Sequence, residues 1–306
     1  MEERLTAFLA VARSGRVSEA ARRLHLAVSS VSHDIASLEA DFGARLFVRT
    51  NRGMVLTPAG RTLLGYAEAI EAEWRRAFRE VRRTTSGQTS VHLAASHTAV
   101  DVFLPAPLGR FRREHPDVRV TVTMANSATV LNQVESGQVD FGLVEGRLGA
   151  RRLGVTALWQ DELALAVSSR HPWAARDQVT LDELAAADVI LREEGSGTRR
   201  VLETALHHAG RDLSYLRVVM ELSSLRAIVA MVAHGVGVSV LSRRLGLPDP
   251  AGTPAVAFVP VAGLRLRREI DLVARAGEEP GDAVRALVRH LEAAAAADRR
   301  RSRARP

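Results

Sequence analysis

The loop Glu194-Gly195-Ser196-Gly197-Thr198-Arg199 combines two glycines with three side-chain donors directly before a predicted helix. Glycines allow a ligand to approach the backbone closely, and N–H groups at the start of a helix favour an anion. The hydroxyls of Ser196 and Thr198 and the guanidinium of Arg199 add donors suited to a carboxylate, sulfate or phosphate. We interpret the loop as an anion-binding site. The simpler alternative is a helix cap followed by a surface arginine.

Further polar side chains follow predicted strands in the same part of the chain. Ligands of open α/β lobes bind in the crevice beyond the carboxyl ends of the strands, where such side chains converge. Together with Ser196, Gly197, Thr198 and Arg199, the predicted ligand-binding residues are Ser96, Thr98, Asn126, Ser127, Glu145 and Ser168. Because Glu145 and Glu194 would repel a bare anion unless an arginine offsets them, an anion and a zwitterion are equally compatible with this site.

A second candidate binding surface lies between residues 17 and 39, where the sequence pattern predicts two short helices joined by a tight turn. Ser18 is placed to cap the first helix. Apolar residues at helical spacing are expected to bury one face of the second helix. These apolar residues are Val31, Ile35, Leu38 and Phe42.

The opposite face of the second helix is directed to solvent. It carries short hydrogen-bonding groups near the helix N-terminus, namely Ser29, Ser32 and His33. A helix laid into the major groove meets base edges with this end, so the sequence predicts a DNA-recognition helix. A structural helical hairpin is the alternative.

The next segment predicts a strand, a turn and a strand over residues 46–49, 50–53 and 54–57. Arg49 and Arg52 flank the turn and would reach phosphate or the minor groove, whereas a solvated turn with incidental charge is the alternative. The predicted DNA-binding residues are Ser18, Val28, Ser29, Ser30, Ser32, His33, Arg49, Asn51 and Arg52.

These segments resemble the N-terminal module of the LysR-type transcriptional regulators. The resemblance rests on Leu5 to Ala12, Ala20-Ala21 with Leu24, Val31-Ser32, Ile35, Leu38-Glu39, Gly43, Leu46 to Arg49 and Leu56 to Gly60. It implies a winged helix-turn-helix coupled to a two-lobed effector-binding domain similar to periplasmic binding proteins. It also implies regulation of transcription by a small-molecule effector, with double-stranded DNA and RNA polymerase as partners, and a dimer or a tetramer built from dimers.

One position departs from the family pattern. The family often has Gln where this chain has Val28, and Val cannot form a hydrogen bond with a base edge. Base reading therefore depends more on Ser29, Ser30, Ser32 and His33.

The helix predicted from Pro58 carries apolar residues at spacings of four and three, and charged residues flank this apolar stripe. They are Leu63, Ala67, Ile70, Trp74, Ala77 and Val81. This heptad pattern predicts a partner helix and resembles the dimerising linker helix of the family. A helix packed on its own domain would tolerate a wider apolar stripe.

Composition is that of a globular protein, with 46% hydrophobic and 25% charged residues among 306. The chain has no cysteine, which excludes disulfides and thiolate chemistry. All 42 basic residues are arginine, most simply a coding bias, and the net charge is +7. The start of the chain lacks a signal peptide and no apolar run has membrane length, so we expect a cytoplasmic protein without membrane contact.

The competing classes are an enzyme and a solute receptor of a transport system. Ten histidines are scattered, and no metal-binding helix, phosphate-binding loop with lysine or nucleophile elbow occurs. A transport receptor would need an export signal. We expect no catalytic residue, no metal and no cofactor.

The predicted fold class is α/β overall. The predicted domains are a winged helix-turn-helix over 1–58, a linker helix over 59–85 and a two-lobed α/β effector domain over 89–296. Lobe I comprises about 89–161 and 266–296, and lobe II about 162–265. Residues 297–306 are predicted to be a disordered basic tail.

Overall fold

The computed structural model of the protein describes residues 3–51, 53–86, 89–146, 153–245 and 255–303. The chain forms two compact units that meet in sequence near residue 87. Within the described ranges, no helix combines the length and the apolarity needed to cross a membrane. Arg52 lies outside these ranges.

The N-terminal unit is a winged helix-turn-helix followed by a long helix. Its elements are α1 (Glu3–Ser14), α2 (Val17–Leu24), α3 (Val28–Asp41), β1 (Phe47–Thr50), β2 (Gly53–Leu56) and α4 (Pro58–Ser86). Phe8 is fully buried at the centre of the core, and its ring lies 5.3 Å from that of Phe47. The core therefore joins the helices to the first strand of the wing.

The turn between α2 and α3 depends on His25, whose φ of 55° is left-handed. Its backbone N–H and that of Leu26 return to carbonyls at the end of α2, the latter to Ala21 at 3.0 Å. Such a left-handed residue ends a helix and reverses the chain within a few positions. This turn fixes the angle at which α3 leaves α2.

Two local predictions for these helices were wrong. Ser18 does not cap α2, because the helix already begins at Val17 and the extended residue before it is Arg16, which makes no capping hydrogen bond. Phe42 is 57% exposed instead of buried, because it is the C-terminal cap of α3, beyond the last buried residue of the apolar face, Leu38. Val28 is the first residue of α3.

The wing is locked to the start of α4 by close backbone contacts. Thr57 donates its hydroxyl to the carbonyl of Arg45 at 2.7 Å and accepts the N–H of Gly60 at 3.0 Å. A Cβ atom at Gly60 would lie 2.1 Å from the carbonyl oxygen of Leu46. Glycine is therefore required where α4 crosses the wing.

Lobe I of the C-terminal unit is a mixed sheet with helices on it. Its elements are β3 (Ser90–Ser96), α5 (Pro105–Glu114), β4 (Arg119–Ala125), α6 (Ser127–Glu135), β5 (Phe141–Glu145), the first half of β6 (Leu153–Ser168), β11 (Arg267–Arg275) and α10 (Asp282–Arg303). The order is β6-β11-β5-β3-β4, with β3 parallel to both β4 and β5. A π-helical turn over Ala99–Phe103 precedes α5.

Lobe II begins on the second half of β6, which pairs antiparallel with β9 (Ser239–Ser242) and β10 (Val256–Val259). Its other elements are α7 (Leu181–Ala186), β7 (Asp188–Arg192), α8 (Gly197–His208), β8 (Arg217–Leu222) and α9 (Leu225–Ala233). Strands β7 and β8 are parallel. Helix α7 was not predicted, although Thr180 and Glu183 form a capping box that the sequence carries.

Strand β6 is continuous through both lobes. Its first half pairs with β11 and its second half with β9 and β10. Asp161 therefore sits within a strand at the crossing between the lobes.

The tail prediction was wrong for most of its length, because α10 continues to Arg303. Asp298 forms a bidentate ion pair with Arg244 at 2.7 and 3.0 Å, and Arg299 donates to the carbonyl of Leu158 at 2.6 Å. These contacts hold the last turns of the helix against the rest of the C-terminal unit. Residues 304–306 lie outside the described ranges.

Candidate ligand site and nucleic-acid interface

The loops of lobe I and the start of α8 in lobe II meet at Glu145, the last residue of β5. Its side chain is buried. Thr98 donates its backbone N–H to Glu145 Oε1 at 3.2 Å, and Thr198 donates its hydroxyl to Glu145 Oε2 at 3.3 Å. Ser127 Oγ accepts the N–H of Glu145 at 3.1 Å. The structure thus brings four residues of the predicted site together across the two lobes.

The approach between the lobes is close enough to require small residues. A Cβ atom at Gly197 would lie 2.3 Å from the Cβ atom of Glu145. Asn126 donates its amide to the carbonyl of Glu194 at 3.2 Å, and buried Ser96 accepts the N–H of Ala99 at 3.4 Å. The glycine of the α8 loop therefore allows the helix start to rest on the end of β5.

Arg268, which the sequence analysis did not select, occupies the centre of this arrangement. It lies on β11 and is buried. Its guanidinium donates to Asp161 at 2.8 Å, to the Thr198 hydroxyl at 2.8 Å and to the Thr98 hydroxyl at 3.1 Å. It also forms a short ion pair with Glu145. One arginine therefore connects lobe I, the crossing strand and lobe II.

This arginine determines the charge state of Glu145. Burial by itself raises the pKa of a carboxyl, but the attraction of Arg268 and Arg192 and the hydrogen bonds from Thr98 and Ser96 outweigh it and lower the pKa of Glu145 to about 2. Glu145 is therefore ionised at neutral pH, and its charge is already offset by Arg268.

Three buried side-chain donors lie beside this network and, among the described residues, have no hydrogen-bond partner. They are Arg192 Nη1, Ser196 Oγ and Arg200 Nη1. The other nitrogens of Arg192 contact Glu193 at 2.8 and 2.9 Å and His97 Nδ1 at 3.2 Å. Burial and the nearby Arg192 lower the pKa of His97, which favours the neutral form of the ring. Buried donors usually have hydrogen-bond partners, so this cluster could donate to the acceptor atoms of a ligand.

Two residues of the predicted site lie elsewhere. The side chain of Arg199 forms ion pairs with Glu203 of α8 at 2.9 Å and with Glu221 of β8 at 2.7 Å. Ser168 donates to the carbonyl of Ala233 at 3.2 Å at the far edge of lobe II. The reason is direction: β6 runs antiparallel to β9, so its carboxyl end points away from the crevice.

The surface predicted to face DNA is formed by the start of α3. Ser29, Ser30, Ser32 and His33 are exposed, and Val28 is 50% exposed. The opposite side of α3 packs into the core through Val31, Ile35 and Leu38. Ala27 supplies no capping side chain at the N-terminus, so the first N–H groups of α3 remain available to an acceptor such as phosphate.

Arg49 and Asn51 are exposed at the tip of the wing. The tip is closed by a hydrogen bond from the Thr50 hydroxyl to the carbonyl of Gly53 at 3.0 Å. Val48 and Val55, a cross-strand pair, are also exposed. Ser18 is exposed on the first turn of α2.

Comparison with protein families agrees with both halves of this geometry. The bacterial regulatory helix-turn-helix model of the lysR family matches residues 3–61, and the LysR substrate binding domain model matches residues 84–296. The chain belongs to the LysR family. It is therefore a LysR-type transcriptional regulator with an effector-binding domain, and LysR proteins are regulators rather than enzymes.

Known LysR proteins resemble the chain over most of its length. An uncharacterized HTH-type transcriptional regulator of Mycobacterium tuberculosis is 33% identical over 301 residues, covering 93% of this chain and 94% of the relative. The full-length CbnR in complex with its target DNA matches with a TM-score of 0.64 and 24% identity, covering 96% of this chain and 100% of CbnR. The Synechocystis CcmR regulatory domain in complex with 2-PG matches with a TM-score of 0.61 and 25% identity, covering 67% and 97%.

In this LysR chain the apolar seam of α4 divides into two parts. Leu63 and Ala67, predicted to face a partner helix, are buried in the core of their own winged helix-turn-helix. This part of the prediction was wrong because the first turns of α4 pack against α1. The remaining seam residues, Ile70, Trp74, Ala77 and Val81, are exposed.

The central residues that the sequence analysis missed are Arg268, Asp161, Arg192 and Arg200. Arg268 and Asp161 are register partners on adjacent strands but are 107 residues apart in the chain. Arg192 ends β7 directly before the glycine loop, and Arg200 follows it. Their position on either side of that loop was the one local signal that could have identified them.

Proposed function

We propose that this LysR regulator binds a small anionic metabolite between its two lobes and that this ligand controls binding to a specific DNA site. The observation that carries the proposal is a cluster of buried donors at the start of α8, Arg192 Nη1, Ser196 Oγ and Arg200 Nη1, for which the described part of the chain supplies no partner. Two guanidinium groups and a hydroxyl at a helix N-terminus match the oxygens of a carboxylate, sulfate or phosphate.

The geometry favours an anion over a zwitterion. A zwitterion needs an acceptor for its ammonium group, and the acidic residues near the predicted site were Glu145 and Glu194. The oxygens of Glu145 already accept from Thr98 and Thr198, and Arg268 offsets their charge. The related CcmR regulatory domain, 25% identical, holds 2-PG, which supports a small-molecule ligand for this domain.

The same helix start supplies a route from ligand to conformation. Ser196 and Arg200 carry unpartnered donors, while Thr198 between them contacts Glu145 and Arg268 of lobe I. An anion bound at α8 would therefore alter the contact that connects the lobes. A ligand shifts a conformational equilibrium by its differential affinity for the two states, and here those states differ in how α8 meets β5.

The ligand proposal is tested with the full-length protein by calorimetric titration with sulfate, phosphate and a set of small carboxylates. For the best ligand, Ser196→Ala and Arg200→Gln should each weaken binding by about tenfold or more, since a hydrogen bond to a charged group contributes about 1.5–3 kcal/mol. Arg211→Gln, beyond the other end of α8, is the matched control and should leave affinity unchanged. Equal affinity in all variants would reject this site.

The DNA part of the proposal assigns base reading to the start of α3 and phosphate contact to the wing. In it, residues 1–58 contact DNA, residues 59–85 join two copies, and residues 89–296 bind the effector. Ser29, Ser30, Ser32 and His33 supply hydrogen-bonding groups, with Val28 limited to apolar contact. Arg49, Asn51 and Arg52 belong to the wing turn.

Two copies joined through Ile70, Trp74, Ala77 and Val81 would present two DNA-binding heads, the winged helix-turn-helix domains, to a dyad-symmetric operator. A change in the lobes would then alter the spacing of the heads and the bend of promoter DNA, and so the access of RNA polymerase. A gel shift with the upstream intergenic DNA of the gene, with random DNA as competitor, tests specificity. Binding that does not exceed that of the competitor contradicts the proposal for this region.

A further inference from the structure

We infer that lobe I carries a binding site for a divalent first-row transition metal such as Zn²⁺, formed by Glu114, His115 and His290. One potential ligand atom from each residue lies within 4.8 Å of the others. No metal site is predicted from the sequence, because Glu114 and His290 are 176 residues apart. The fold brings them together where the end of α5 packs against the middle of α10.

The hydrogen bonding of His290 directs its ring nitrogen Nε2 at an acceptor, so that a cation between the two atoms would be favourable. His290 Nδ1 lies 2.9 Å from the carbonyl oxygen of Ala286, which only accepts, so Nδ1 carries hydrogen. His290 Nε2 lies 2.9 Å from the carboxylate oxygen of Glu114, which is also an acceptor. A proton or a metal ion must therefore satisfy both Nε2 and the carboxylate. A backbone carbonyl on the remote nitrogen is the usual support of a metal-ligating histidine.

The rings are held by packing before any metal arrives. Phe111 is fully buried, and the ring of His115 stacks on it with centroids 4.6 Å apart. The ring of His290 meets the same phenylalanine edge-on at 5.3 Å. Both histidines are partly exposed, and the side chain of His290 keeps 19% of its surface in solvent. Two rigid helices and one aromatic ring thus fix the directions of both imidazoles.

The donor set selects the class of metal. Two imidazoles and one carboxylate suit Zn²⁺ and its neighbours, whereas Mg²⁺ and Ca²⁺ prefer oxygen ligands throughout. In a tetrahedral zinc site with bonds of about 2.0–2.1 Å, ligand atoms lie about 3.3 Å apart, so small side-chain rotations complete the site. The guanidinium of the nearby Arg112 donates to the backbone carbonyls of His115 and Pro116. A fourth position would be left for water.

The site is separate from the crevice. Helix α5 connects the parallel strands β3 and β4, so its C-terminal end lies at the amino-terminal edge of those strands. The crevice lies at the opposite, carboxyl-terminal edge, where Glu145 ends β5. Metal binding here would join α5 to α10 and stabilise lobe I independently of the effector.

Calorimetric titration of the chelator-treated, full-length protein with ZnCl₂ tests the inference. We expect one equivalent to bind with micromolar or tighter affinity and to raise the unfolding midpoint. His115→Gln and His290→Gln should each weaken Zn²⁺ binding by at least about 10- to 100-fold, the loss typical of removing even an outer-shell partner. Glu114→Gln should weaken it as well, and this exposed residue can change without unfolding the protein. Co²⁺ absorption in the visible range gives an independent readout of tetrahedral coordination.

The matched control is His207→Gln with His208→Gln, an exposed histidine pair at the end of α8 with ring centroids 6.4 Å apart. This variant should bind Zn²⁺ like the unmodified protein. Three results overturn the inference: no Zn²⁺ binding, affinity that is unchanged in His115→Gln and Glu114→Gln, or an equal loss in the control. In the first case the contact between Glu114 and His290 is a hydrogen bond without a metal.

Discussion

Arg268 on β11 and Glu145 on β5 form a buried ion pair at the point where the two lobes of the effector unit meet. The side chains are 1% and 2% exposed. Thr98 and Asp161 take up the remaining guanidinium hydrogens on the lobe I side, and Thr198 reaches the same pair from lobe II. A buried pair of this kind is tolerated because every charge has a partner, which makes the removal of one partner costly.

Arg268→Gln should lower the free energy of unfolding by about 3–5 kcal/mol, because it leaves Glu145 and Asp161 buried without their cation. Urea unfolding of the full-length chain measures this. The control is Arg243→Gln, which removes a pair with Glu162 whose side chains are 44% and 52% exposed. Exposed pairs contribute about 0–1 kcal/mol, so the control should change little. Similar losses in both variants would contradict a special role for Arg268.

Acid should weaken the same network in a defined range. The pKa of Glu145 is lowered from 4.5 to about 2 in the folded protein, so the unfolded chain binds its proton first as the pH falls. The stabilisation is therefore complete above about pH 4.5 and is lost as the pH falls toward 2. The free energy of unfolding should fall more steeply in this window for the unmodified protein than for Glu145→Gln. Parallel curves would show that Glu145 does not contribute.

The two parts of the α4 seam should respond differently to substitution. Trp74→Ala removes an exposed ring and should weaken self-association without destabilising the winged helix-turn-helix. Leu63→Ala removes a buried side chain and should lower stability by about 2–5 kcal/mol while leaving the association constant unchanged. Sedimentation equilibrium and thermal unfolding separate the two effects. Weaker association in Leu63→Ala alone would reverse our assignment.

His33→Ala and Arg49→Ala should distinguish base reading from phosphate contact. His33→Ala, with or without Ser32→Ala, should cost about 1–3 kcal/mol per lost contact on the specific site and little on random DNA. Arg49→Ala should weaken binding to both DNAs and reduce the salt slope by about one. Fluorescence anisotropy across a salt series gives both quantities. An unchanged specificity ratio in the His33 variants would remove α3 from base reading.

Local sequence determined much of this protein. The helices of the head, the wing strands and the alternation of strands and helices from Ser90 onward follow from apolar spacing and turn residues. The glycine loop before α8 was recognisable because its glycines and hydroxyls are adjacent in the chain. The start of α3 was recognisable as a polar helix face for the same reason. All these features depend on contacts within a few residues.

Tertiary structure decided what each predicted surface does. Ser168 was excluded from the crevice by the direction of β6, and Leu63 and Ala67 were buried because the first turns of α4 pack on α1. Arg268 became the centre of the site through a strand pairing with Asp161, 107 residues away. A charged residue looks the same in sequence whether it faces water or a buried partner, and only the folded chain supplies that partner. The family and most of the elements could therefore be inferred from the sequence, whereas the partners of its buried charges could not.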